Sequence, residues 1–160
     1  MITVCLGTIP YPFERAINWL SILLESGVIS ESVFVQHYST DVSALDKYPF
    51  VTTTPIVEFN TLMEKVDNSR LVISHAGDGL TRALAIQKAS FVLLPRLARY
   101  KEHIDDHQLL LAQSIESFGI PYCLSLESLE RIILNPPPRF QGTLFAGPKL
   151  AEHLLERYPS

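Results

Sequence analysis

The chain has 160 residues and a net charge of −4, enough for one domain with its own core and the wrong sign for a nucleic-acid binder that neutralises phosphates. Its 47 % hydrophobic content and mean hydropathy of +0.17 exclude a largely disordered chain and leave apolar surface for a partner. No apolar run reaches about 18 residues, so no transmembrane helix is expected; the N-terminus lacks the basic region of a signal peptide, and two distant cysteines, Cys5 and Cys123, fit a reducing cytoplasm rather than a disulfide framework.

Ile2–Leu6 is an apolar run ended by Gly7-Thr8 and reads as a buried strand. Phe13, Ile17, Leu20 and Leu24 follow at helical spacing, and Gly27 closes that helix. Ser32–Gln36 reads as a second strand, residues 37–48 as a loop, and Pro49–Thr53 as a short third strand. Pro55 is expected to open a helix through Leu62 and Val66 that ends near Asn68. Leu71–Ser74 is a fourth strand, residues 78–88 a helix, and Phe91–Leu94 a fifth strand stopped by Pro95.

Residues 96–103 form a basic loop. Ile104, Leu111, Ile115 and Phe118 then mark an amphipathic helix, with Gly119 and Pro121 beyond it. Tyr122–Leu124 reads as a short strand, and Ser125 as the cap of a helix. Asn135-Pro136-Pro137-Pro138 is a stiff break. The chain is therefore expected to divide into a domain over residues 1–134 and a proline-containing tail over 135–160, where Gly147-Pro148 would start a last short helix carrying Leu150, Leu154 and Leu155. Alternating strands and helices imply an α/β fold with a parallel sheet and right-handed crossovers. Ligands in such sheets bind beyond the carboxyl ends of the strands. Gly7-Thr8, Ser74–Gly79 and Pro95-Arg96 all lie at such ends.

Ile73-Ser74-His75-Ala76-Gly77-Asp78-Gly79 is the most informative of these segments. Glycines between a strand and a helix admit close approach of a ligand to the backbone. The new helix presents unpaired N–H groups and the positive end of its dipole, which suits a phosphate. The Walker A and dinucleotide GxGxxG patterns are both absent.

Taken together, Ser74-His75-Ala76-Gly77-Asp78-Gly79, Val92-Leu93-Leu94-Pro95-Arg96, Glu102-His103 and Asp106-His107-Gln108 resemble the C-terminal domain of family 28 glycosyltransferases. With the opening Val4-Cys5-Leu6-Gly7-Thr8 and Pro12-Phe13-Glu14-Arg15, the chain resembles the single-domain, PssE-type subunits of bacterial exopolysaccharide synthesis. Those are related to the catalytic subunit of the eukaryotic enzyme that adds the second N-acetylglucosamine to dolichol-diphosphate N-acetylglucosamine. The resemblance covers residues 2–134 and leaves the tail outside.

It implies a Rossmann-like, three-layer domain, the donor-binding half of a GT-B enzyme. The substrate would be a UDP-sugar, with no cofactor and no metal. The acceptor half would be a separate membrane-anchored subunit, and the acceptor a lipid-diphosphate-linked sugar. The chain itself would be cytoplasmic, held at the inner face of the membrane through that partner. Homo-oligomerisation is left open, and no nucleic-acid partner is expected.

The candidate substrate-binding residues are Gly7, Thr8, Ser74, His75, Ala76, Gly77, Asp78, Gly79, Arg96, Glu102, His107 and Gln108. The glycine loop would hold the donor diphosphate, with His75 giving a hydrogen bond or a positive charge; an ordinary strand-to-helix turn is the plainer reading. Asp78 would repel a diphosphate and is expected to point away from it, or toward a hydroxyl. His107-Gln108 stands where the family holds sugar hydroxyls, and a solvent-facing helix turn is the alternative. Arg96, at a strand end, is the cation best placed for a diphosphate; Arg99 and Lys101 are equally well read as solvated. Thr8 is read as a phosphate or acceptor contact or as a plain turn. Arg15 is read as structural, and Trp19 as packing or as exposed for a partner.

His103 is a candidate general base. With His107 it also has the i, i+4 spacing of a metal pair on one helical face, but no third ligand and no HExxH pattern accompany it. The family often carries a glutamate for the ribose hydroxyls at the position of Ala83. Alanine cannot serve, and Arg82 and Gln87 lie on other faces of the helix at about 100° per residue. The activity expected is transfer of a hexose from a UDP-sugar to a lipid-linked acceptor with inversion, dependent on the partner subunit. A non-catalytic nucleotide- or sugar-binding module is the alternative.

Overall fold

A continuous ladder of five parallel strands runs through the computed structural model, which describes residues 1–144. The strands are β1 (Ile2–Cys5), β2 (Val33–Gln36), β3 (Val51–Thr54), β4 (Leu71–His75) and β5 (Phe91–Leu94). Their spatial order is β3-β2-β1-β4-β5. The helices are α1 (Glu14–Glu25), α2 (Phe59–Asp67), α3 (Asp78–Ile86), α4 (His107–Ile115) and α5 (Leu126–Leu134). Register is in step across the centre: Ile2 pairs with both Val33 and Leu71, and Cys5 with both Gln36 and Ser74.

Strand residues alternate between two cores, as a sheet covered on both faces requires. Ile2, Val4, Leu71, Ile73, Val92 and Leu94 pack with α1 and α5. Cys5, Val72, Phe91 and Leu93 pack with α2, α3 and α4. The result is the three-layer Rossmann-like α/β arrangement expected. Strand order reverses between β1 and β4, so the crevice at their carboxyl ends is the topological switch point.

Several local expectations are corrected. The helix expected from Pro55 starts at Phe59, with Glu58 in extended conformation before it. The helix after the glycine loop stops at Ile86, because Lys88 turns left-handed. The helix expected from Ile104 begins three residues later at His107, and Ile104 is 76 % exposed rather than on the core face. His103 therefore lies outside α4, and the one-face pair of His103 and His107 does not exist. Tyr122–Leu124 reduces to a single parallel bridge between Tyr122 and Leu93. The segment after the prolines continues the core: Phe140 and Leu144 are buried beside α3, and the Phe140 N–H donates to Ala89 O. The helix expected after Gly147 lies outside the described residues. None of the described helices is long and apolar enough to cross a membrane.

Candidate functional site

A cleft of about 400 Å³ opens at the switch point, between the ends of β1, β2 and β4 and the first turn of α3. His75, Gly77, Gly79 and Leu80 form one side, and Gly7, Thr8 and Ile9 the other. Gln36, Ile56, Val57 and Leu62 close it.

His75 ends β4, where the strand hands over to the glycine turn. Its imidazole sits between Gly7 and Gly77. A Cβ at Gly77 would stand 2.5 Å from His75 Cε1, and one at Gly7 would overlap the ring outright. Both positions therefore have to be glycine for the ring to stand there. Gly7 also needs its positive φ of 77°, which glycine adopts without strain.

The tautomer of His75 follows from its neighbour. Gln108 Oε1 accepts two backbone N–H bonds, from Ala76 at 3.0 Å and Arg96 at 3.1 Å. That orientation puts the NH₂ of Gln108 toward His75 Nδ1, 3.0 Å away, which must accept. The proton is then on Nε2, the edge that lies against the two glycines of the cleft. Burial, the buried Arg96 cation and His103 lower the His75 pKa to about 3. His75 is thus a neutral hydrogen-bond donor at physiological pH. Of the two roles the sequence allows it, the positive charge is removed.

A second buried glutamine braces the opposite wall. Gln36 Oε1 accepts the Gly7 N–H at 3.0 Å, and its NH₂ donates to Gly7 O and Pro55 O. It ties the ends of β1 and β3 to that of β2. Polar side chains at the last residue of an apolar strand are the signal that could have found it.

α3 carries no side-chain cap, because Gly77 at its N-cap has no side chain. The first helical bond is donated by Thr81 to Gly77 O. Gly77, Gly79 and Leu80 line the cleft, and the N–H groups of a first helical turn have no acceptor within the helix. Asp78 is half-exposed, with Oδ2 3.4 Å from Arg82 on the next turn. Ser74 is buried, with Oγ donating to His75 O, and Ala76 is buried in the core. Ala83 packs against the lower core beside Leu84 and Ala85.

Three expected contact residues turn inward. Arg96 does occupy the carboxyl end of β5, but it is fully buried. Its guanidinium donates to Leu6 O at 2.6 Å, Tyr11 O at 2.6 Å and Glu102 O at 3.0 Å, and lies 4.8 Å from the Phe13 ring centre. It clamps the β1–α1 loop at both ends instead of reaching into the cleft. Burial lowers its pKa to about 10, so it stays a cation at neutral pH. Glu102 is 2 % exposed and takes two hydrogen bonds from Arg15 and one from the Leu97 N–H. Gln108 braces loops rather than meeting solvent. His107 opens α4 and is exposed, its N–H donating to Asp105 Oδ1. His103 is partly exposed, with Nδ1 3.0 Å from Asp105 Oδ1. Its Nδ1 also accepts the Asp105 N–H at 3.3 Å. The sequence had not singled out Asp105 for this.

Residues 23–136 match the family model described as Glycosyltransferase family 28 C-terminal domain. Among solved structures, MurG of Acinetobacter baumannii superposes with a TM-score of 0.60 at 19 % identity, over 82 % of this chain and 40 % of that one. The glycosyltransferase SnogD of Streptomyces nogalater gives 0.58 at 18 %, over 84 % and 34 %. The glycotransferase of kitacinnamycin gives 0.62 at 14 %, over 96 % and 37 %. At such identities the likeness is one of fold. The chain spans well under half the length of each of these structures. Curated proteins offer no sequence match. With the matched segment covering most of the described fold and ending beyond α5, the chain belongs to the glycosyltransferase family 28 C-terminal domain family.

Proposed function

We propose that this chain is the donor-binding, catalytic subunit of a hexosyltransferase. It takes a UDP-sugar and passes the sugar, with inversion, to a lipid-diphosphate-linked acceptor in exopolysaccharide assembly. A membrane-anchored partner subunit supplies the acceptor half and holds the chain at the cytoplasmic face of the membrane. The observation that carries the reading is the pairing of an uncapped helix start with a neutral histidine donor in one cleft. A leaving nucleoside diphosphate gains negative charge as the glycosidic C–O bond breaks. The first-turn amides of α3, its dipole and the His75 Nε2–H can all stabilise that charge without a protein cation.

The attacking acceptor hydroxyl must lose its proton as the new bond forms at the anomeric carbon. His103, set against the Asp105 carboxylate, is the base in this reading. Two expected contacts, His107 and Thr8, are exposed, and in this reading they meet the sugar or the partner.

Titration calorimetry of the chain with UDP tests the donor site. The expected result is binding that is lost in His75→Ala and retained in His103→Ala. With the partner present, His103→Ala is expected to lower kcat about 10²-fold or more. No binding of UDP or of any UDP-sugar would overturn the reading.

A further inference from the structure

A second and larger cleft, of about 590 Å³, lies on the far side of the β1–α1 loop. Gly7, Thr8 and Ile9 of that loop line the donor cleft, whereas Pro12 lines the second. The loop is a shared wall, and Arg96 holds both its ends through Leu6 O and Tyr11 O. The remaining lining comes from the first turns of α1, through Glu14, Arg15, Asn18 and Trp19, and from Tyr100, Lys101 and Glu102 before α4. Glu102 directly precedes His103, the candidate base. Both clefts therefore border the same short stretch of chain.

The chemistry of this second cleft differs from the first. Arg15 is largely engaged, with Nη1 alone left without a hydrogen-bond partner. Its Nε and Nη2 bond the Glu102 carboxylate at 3.0 and 2.9 Å, and Nη2 also donates to Pro95 O at 2.8 Å. Its guanidinium lies 4.9 Å from the Trp19 ring centre and 5.2 Å from that of Tyr100. Arg15 thus fixes the two aromatic rings in place as walls. The other polar groups on the lining are the Asn18 amide, the Glu14 carboxylate and the Lys101 ammonium. Two carboxylates and two cations give the lining no net charge. A nucleoside diphosphate or an anionic headgroup would call for a positive one. Aromatic walls, an amide and a carboxylate instead match a neutral polyol. The carboxylate accepts from hydroxyls, the amide does both, and the apolar face of a pyranose packs on the rings.

We propose that this cleft is a subsite for a neutral saccharide unit, the sugar that receives the transferred residue. The role as acceptor rests on the donor reading above; the binding of a neutral sugar does not. The subsite would let this chain, and not only its partner, choose the acceptor.

Trp19 is the only tryptophan and lines the cleft, so its fluorescence reports on the subsite directly. The full chain is titrated with the methyl glycosides of glucose, galactose and N-acetylglucosamine and with cellobiose. A saturable change with at least one of them, in the millimolar range, is expected. Asn18→Ala and Glu14→Ala, both at exposed positions, should weaken it roughly tenfold each while leaving the circular dichroism spectrum and the UDP isotherm unchanged. No saturable response up to about 100 mM, or one that survives both substitutions, overturns the proposal. A response to phosphatidylglycerol vesicles but to no sugar also overturns it and assigns the cleft to a membrane surface. A saccharide response without any UDP binding leaves the subsite standing and removes the donor reading alone.

Discussion

At the scale of single residues, the site turns on one proton. Gln108 accepts two backbone N–H bonds and so can only donate to His75, which places the ring proton at the cleft. Spacing within the sequence pointed to both residues but assigned Gln108 to a sugar hydroxyl. Its true partners lie 32, 12 and 33 residues away in sequence, and no local pattern displays such contacts. The buried neutral ring has a consequence for stability. The unfolded chain takes up a proton on this histidine near pH 6.5, whereas the folded one resists until about pH 3. Between those values the unfolded state binds more protons, so stability rises with pH, by up to about 1.4 kcal/mol per unit, and is lost as pH falls. Urea unfolding at pH 4 and pH 7 checks this: His75→Asn is expected to flatten the difference. In the native chain the His75 ring resonances should not titrate above about pH 5.

At the scale of elements, the strands were the most legible part. Strand signals located all five to within a residue or two; four of them are buried along their whole length and have few polar positions to confuse the pattern, whereas the edge strand β3 is not. Helix starts were less legible. Pro55 and Ile104 offered good local signals, yet both segments remain extended or looped until Phe59 and His107. In the second case the loop is stabilised from within: Asp106 Oδ1 accepts the Ala98 N–H, and Asp105 Oδ1 accepts the His107 N–H. Side-chain bonds of this kind compete with helical ones. The β1–α1 loop carries the sharpest expectation at this scale. Gly7→Ala puts a methyl into the His75 ring and forces an L-residue to a φ of 77°. It is expected to cost about 1–3 kcal/mol in urea unfolding and to abolish calorimetric UDP binding. Gly27→Ala, also at positive φ but with open space around its Cα, should cost stability alone and leave binding intact.

At the scale of the whole molecule, buried ionic groups join the two halves of the chain. Arg15 on α1 and Glu102 before α4 are 87 residues apart and form a nearly buried ion pair. Arg96 lies beside them with backbone carbonyls as its hydrogen-bond partners. Glu102→Gln removes the one carboxylate that faces both cations. It is expected to destabilise the chain by roughly 3 kcal/mol, because breaking a buried pair strands its partner. The urea midpoint should fall with an unchanged slope. The sequence had read Arg15 as structural and Arg96 as a ligand cation, and only the first reading survives in the structure.

What the sequence by itself determined is the layer architecture, the rim on which a ligand would bind, and the family. Each of these follows from local hydrophobic period or from a short contiguous motif. The tertiary structure alone decided which polar residues face the cleft and which hold it together. Glu102, Gln108 and Arg96 have the composition of ligand-binding groups, but a chain cannot bury loops at a sheet rim without satisfying their backbone N–H and C=O groups. These three do that work for the loops after β1, β4 and β5, and the cleft is left to His75, the glycines and the helix end.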